Sequence, residues 1–175
     1  MIETIDSEAL IREESKFNPT QTYTGEVLLM LDFDGVVHSL FSHYEAKGLF
    51  DKLHYIEAIL REMPNVKVAI SSTWATKYNL TSLKKRFAED VRKQVAYAIA
   101  KQSNNRHNDV KNFLQSYGLH FPWIAVDDMA KYNENDPVVW TDWRTGLTDE
   151  TAKILKKALQ SPMEYKEFKD DKTKA

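Results

Sequence analysis

The chain has 175 residues, 42% hydrophobic and 29% charged with five Gly and five Pro, which excludes a disordered or fibrous chain and suits one compact domain with a short extension. A formal net charge of −2 supplies no global basic field, so any nucleic-acid partner requires a local patch. Cysteine is absent, which excludes disulfides, thiolate metal sites and thiol nucleophiles; any metal must sit on oxygen or imidazole.

From Met1 to Lys16 acids are spread among the apolar residues, unlike the basic start and long apolar stretch of a signal peptide. The longest apolar run, Val27 to Leu31, is too short to span a membrane. A cytoplasmic protein with no membrane association is expected. Residues 1–25 read as an amphipathic helix with Ser7 as N-cap, followed by a polar connector through Pro19. The unalternating run Val27–Leu31 then predicts a strand buried on both faces, with Asp32 at its end. Leu53, Ile56, Ile59, Leu60 and Met63 predict a helix closed by Pro64-Asn65, and Val66–Ile70 a second strand leading into Ser71-Ser72-Thr73-Trp74.

Leu80, Leu83, Phe87, Val91, Val95 and Ile99, spaced by three and four, predict one long helix from Leu80 to Ala100. A helix carrying Val110, Phe113 and Leu114 ends near Gly118, a third strand Trp123–Val126 delivers Asp127-Asp128, and Val138–Trp140 is a fourth. Thr148 caps a last helix through Leu159, with Pro162 beyond it and a charged, frayed end from Lys166 to Ala175. The expected organisation is an N-terminal extension over 1–25, a catalytic domain over 26–162 and a tail over 163–175. Alternating strands and helices predict a three-layer α/β domain with right-handed crossovers and a site at the carboxyl ends of the strands.

Three predicted strands end in polar residues that meet at one rim: Asp32 with Asp34, Ser71 with Ser72, and Asp127 with Asp128. Acids brought together there repel unless a cation neutralises them. A hard, oxygen-bound ion, most simply magnesium, resolves the conflict, and its use of substrate phosphate oxygens points to a phosphorylated substrate. Asp32 is then the candidate nucleophile and Asp34 the acid and base. Gly35 permits a sharp turn, the Ser71 hydroxyl is placed to bond a phosphoryl oxygen, and Arg106 or Lys111 supplies positive charge for the transferring group.

Leu31-Asp32-Phe33-Asp34-Gly35-Val36-Val37 resembles the first motif of the haloacid dehalogenase (HAD) superfamily. Ile70-Ser71-Ser72 resembles its second motif and Val126-Asp127-Asp128 its fourth. Ile70–Trp74, the Trp123 strand, Thr141-Asp142 and Gly146-Leu147-Thr148 further resemble the capless branch found in Swiss Army Knife RNA repair proteins. The resemblance implies a Rossmannoid HAD-like fold, a mainly parallel sheet without a large cap, and phosphatase activity through an aspartyl-phosphate on Asp32. It also implies phosphate binding by Ser71, with Ser72 beside it, and magnesium held by Asp32, the Asp34 carbonyl, Asp127 and Asp128. The third motif departs from the family pattern, so Arg106 and Lys111 both stand for its basic residue.

The segment between the first two motifs already contains the Leu53–Met63 helix, so the site is expected to be open to a bulky phosphomonoester such as a nucleotide or nucleic-acid end. No obligate protein partner is expected. Plainer explanations exist: a turn at Asp32–Gly35, a cap at Ser71–Thr73, packing roles for the four Trp, surface or rim positions for His38 and His43, and a solvated face at Lys84-Lys85-Arg86. The competing function is a non-catalytic phosphate-binding or signalling module with a HAD-like or receiver-like fold. A second acid two residues from the nucleophile speaks against it, because its use is proton transfer.

Overall fold

Val27–Leu31 contains no polar residue, and every one of its side chains is fully buried. Alternate residues face opposite ways, as the strand period requires. Val27, Leu29 and Leu31 enter one hydrophobic cluster, while Leu28 and Met30 enter the other. This strand, β1, therefore lies at the centre of a layered molecule, as predicted for a run without polar alternation. The structure is a computed structural model that describes residues 6–45, 47–129 and 131–174. The first five residues of the N-terminal extension and the last of the tail lie outside them.

The other strands are β2 (Val66–Ile70), β3 (Val95–Ala98), β4 (Trp123–Asp127) and β5 (Val138–Trp140), all parallel in the order β3-β2-β1-β4-β5. On one face pack α3 (Leu53–Glu62), α5 (Leu80–Lys84) and α7 (Asp149–Gln160), through Ile56, Leu60, Leu83, Leu155 and Leu159. On the other face α6 (Arg106–Tyr117) inserts Val110 and Phe113. Each large aliphatic side chain so buried stabilises the fold by roughly 1.5–3 kcal/mol. The architecture is the expected three-layer α/β HAD-like fold. Between β1 and β2 lie only α2 (Leu40–Glu45) and the core helix α3, so no large cap covers the sheet edge among the described residues.

Register positions the chemistry. Leu31 pairs with Ile70 on one side and Val126 on the other. The next residue along each strand is Asp32, Ser71 or Asp127, so these three stand in one row at the carboxyl edge. The chain winds outward from β1 to β3 and then returns to lay β4 against β1. That reversal opens the crevice in which α/β sheets bind ligands.

The predicted helix from Leu80 to Ala100 does not exist as one element. Its span breaks into α5, a 3-10 turn at Glu89–Gln94 and strand β3, following the short helix α4 (Trp74–Lys77). The apolar spacing was met by side chains that are buried, but by a chain that bends: Leu83, Phe87, Val91 and Val95 enter one cluster and Ile99 the other. Val95, Tyr97 and Ile99 also alternate, which is the strand signal that the helical spacing masked.

The termini differ from expectation as well. Asp6, not Ser7, caps α1 (Ser7–Glu14), accepting a bond from Ala9 N at 3.1 Å. The end expected to fray is helical, α8 (Pro162–Lys174), with Tyr165 fully buried. Both terminal helices reach the edge strand. Trp140 N donates to Glu14 Oε2 at 3.1 Å, while Val138 O accepts from Tyr165 Oη and Lys169 Nζ, each at 3.0 Å. Lys169 and Glu14, both buried, close the set at 2.6 Å. The outer polar groups of β5 are thus satisfied by side chains, which blocks edge-to-edge pairing.

Candidate active site

Asp32, Asp127 and Asp128 are buried together, and each offers a carboxylate oxygen within 4.8 Å of the others. Backbone amides hold two of them. Phe33 N donates to Asp32 Oδ1 at 2.8 Å, and Asp128 N and Met129 N donate to Asp127 Oδ1 at 2.9 and 3.2 Å. Asp128 Oδ2 has no hydrogen-bond partner among the described residues. Gly35 explains the close approach: its φ is +76°, and a Cβ there would overlap the Asp128 carboxylate.

The electrostatics follow. Burial first, then the charges of Asp127 and Asp128, push the Asp32 carboxyl well above the usual carboxylate range, against the pull of Arg106. Burial and Asp127 push Asp128 up to about 8. Three acids in a poorly hydrated crevice cannot all ionise without a counter-charge. An all-oxygen donor set of this compactness, with an unpartnered buried carboxylate oxygen, fits a hard divalent cation. Arg106, the first residue of α6, is buried and brings its Nε to 3.7 Å from Asp127 Oδ2, too far for a hydrogen bond but close enough to offset part of the charge.

A cavity of about 330 Å³ opens over the acids, bordered by Asp32, Asp34, Thr73, Arg106, Asp127 and Asp128 among others. Asp34 stands at its partly exposed side, with Oδ1 accepting from His38 Nε2 at 2.8 Å and Oδ2 from Trp74 Nε1 at 3.1 Å. Ser71 Oγ is buried with the Tyr132 hydroxyl as its side-chain neighbour, and Ser72 Oγ accepts from Trp74 N at 3.3 Å. Neither serine is among the residues that border the cavity, and Thr73 takes the rim position. Lys111 is exposed along α6 and does not border the cavity.

Sequence reasoning missed two cations on the rim, Lys101 and Lys131. Lys101 follows β3, so misreading that strand as helix hid it. Lys131 sits beyond the acid pair, and its carbonyl accepts from Arg106 N at 2.8 Å, tying the rim to α6. His38 holds neither the surface nor the rim position expected of it: it is fully buried and does not border the cavity. The side chain of His43 lies outside the described residues. Arg144 is exposed and paired with Asp142 rather than aimed at the cavity. Thr141 and Leu147, singled out in the sequence, brace the loop after β1: Thr141 Oγ1 donates to Gly35 O at 2.7 Å and Leu147 N to Val36 O at 2.8 Å.

A parallel α/β sheet with an Asp-x-Asp pair after its central strand and a second acid pair on the neighbouring strand places this molecule among HAD-like proteins. A family model described as "HAD domain in Swiss Army Knife RNA repair proteins" matches residues 28–152. That is well over half of the chain, and the chain belongs to this family. The membership supports a phosphohydrolase-type function on a phosphorylated substrate, in a family that is generally magnesium-dependent. No curated protein and no solved structure matches the chain. No helix among the described residues is long and apolar enough to cross a membrane.

Proposed function

We propose that the chain is a magnesium-dependent phosphohydrolase that forms an aspartyl-phosphate on Asp32 and acts on phosphomonoesters of nucleotides, nucleic-acid ends or other bulky molecules. The observation that carries this reading is the buried group of Asp32, Asp127 and Asp128, with ligand atoms within 4.8 Å of one another beside Asp34 at one cavity.

Asp32, Asp127, Asp128 and the Asp34 carbonyl would hold magnesium, which when bound supplies the positive charge that lets these acids ionise together and draws charge from the phosphoryl oxygens. An Asp32 carboxylate oxygen attacks phosphorus, the ester P–O bond breaks, and the leaving oxygen takes a proton from the Asp34 carboxyl. Water then attacks the phosphorus of the acylphosphate and gives a proton to the Asp34 carboxylate. The bond between phosphorus and the Asp32 oxygen breaks, releasing inorganic phosphate and restoring Asp32. Ser71, with Ser72 beside it, is the proposed donor to the phosphoryl oxygens from its place in the row with Asp32 and Asp127, and Thr73 is the residue of the same loop that borders the cavity. Of the two basic candidates, Arg106 borders the cavity and takes the charge-stabilising role, which leaves Lys111 without one.

The test is phosphate release from an aryl phosphate and from 3′- and 5′-phosphorylated oligonucleotides, with magnesium and with chelator. Activity is expected to vanish on chelation, and Asp32→Asn to lower kcat by at least ~1000-fold, since loss of a covalent nucleophile removes the whole pathway. An Asp32→Asn protein as active as the parent would refute the assignment.

A further inference from the structure

We propose that His38 and Trp74 are positioning residues that clamp both oxygens of Asp34, aiming its carboxyl at the leaving group of the substrate; the inference rests on the hydrolase reading above. The hydrogen-bond chemistry leaves little freedom. Phe50 N donates to His38 Nδ1 at 3.2 Å, and a backbone N–H only donates, so Nδ1 is the bare nitrogen and the ring proton is on Nε2. Nε2 therefore donates to Asp34 Oδ1 at 2.8 Å. Trp74 Nε1, which also only donates, takes Oδ2 at 3.1 Å.

The surroundings hold the clamp rigid. His38 is fully buried, with its ring 5.2 Å from the Phe50 ring and 6.1 Å from that of Trp74. Phe50 and Trp74 pack edge to face at 5.3 Å, and the Arg86 guanidinium lies 5.0 Å from the Phe50 ring centre. Phe50 also has a φ of +62°, a costly conformation for a bulky residue. Strain of this kind, typically ~1–3 kcal/mol, persists only where the surroundings impose it and concentrates at functional sites. Here it accompanies the amide that fixes the histidine tautomer. The three contributors come from separate parts of the chain: the loop after β1, the segment before α3, and the start of α4.

A fixed general acid matters most when the leaving group is poor. The experiment therefore compares kcat/KM for an alkyl phosphate with that for a nitrophenyl phosphate; this parameter ends at release of the alcohol or phenol and excludes the later water step. For His38→Leu the alkyl ester is expected to lose ~100-fold and the aryl ester less than ~10-fold, in line with general-acid contributions. His38→Gln, which retains an N–H donor near the Nε2 position, is expected to recover most of the alkyl activity. Trp74→Phe keeps a ring but removes the donor, and should shift the two esters apart in the same sense even if the leucine variant fails to fold. In the parent, nitrogen NMR of the side chain should report a protonated Nε2 and a bare Nδ1. Equal losses on both esters in an active background would mark the clamp as merely structural and overturn this inference alone. No turnover of either ester by the parent would refute the hydrolase reading and this inference with it.

Discussion

At the scale of single residues, the site is built from groups that would be unfavourable anywhere else. Asp128 is pushed up to about 8 by burial and by Asp127, whereas an aspartate in the unfolded chain titrates near ~3.9. Between those values the folded protein binds a proton that the unfolded chain does not. Stability from this group is therefore complete below about pH 4, falls as pH rises, and is gone above about pH 8. Asp32 is shifted in the same direction. Metal-free protein is expected to show a Tm that declines across this window. Asp128→Asn should flatten the decline and raise the metal-free Tm near pH 8, while abolishing the Tm rise produced by magnesium. Thermal melts of both proteins with and without magnesium check it, and an unchanged slope would count against the shared-cation site.

At the scale of elements, the terminal helices do more than extend the fold. Glu14 on α1 and Lys169 on α8 meet beneath the edge of β5, and burial pushes the Glu14 carboxyl up while Lys169 opposes it. Removing one partner strands the other. Lys169→Met is expected to cost about 3–5 kcal/mol in urea unfolding, the usual penalty for an uncompensated buried charge. The double variant with Glu14→Gln should recover much of that loss, since it removes the stranded charge as well. A double variant as unstable as the single one would mean that packing, not the ion pair, holds these helices. The most instructive misreading also belongs to this scale. Leu83, Phe87, Val91 and Val95 satisfy a helical period and all are buried, yet they do so across a helix, a 3-10 turn and a strand. Periodicity reports which residues are buried, and only the pairing partner β2 decides that Val95–Ala98 is extended.

At the scale of the whole molecule, a chain with a net charge of −2 still presents Lys101, Arg106 and Lys131 around one cavity. Five aspartates line the same cavity, so these three cations are the side chains there that a polyanionic substrate of the proposed kind would engage. KM for a phosphorylated oligonucleotide is expected to rise steeply with salt, and KM for a simple aryl phosphate to rise much less. Lys101→Ala and Lys131→Ala should each reduce the salt slope for the oligonucleotide by about 0.7, the loss of one contact to a single strand. Identical salt slopes for the two substrates would argue against extended anionic substrates.

The sequence alone determined the central strand, the acids at its end, and the two further strand ends at which polar residues gather. Those features are local: an unalternating apolar run, and the residue types that follow it. It did not contain the clamp on Asp34, because His38, Phe50 and Trp74 meet only when three loops converge, nor the rim cations, because Lys101 reaches the cavity only once β3 has paired. The tertiary structure alone decided which acids gather in one buried group and which merely stand nearby. Parallel register, Leu31 beside Ile70 and Val126, is what turns distant positions in the chain into neighbours.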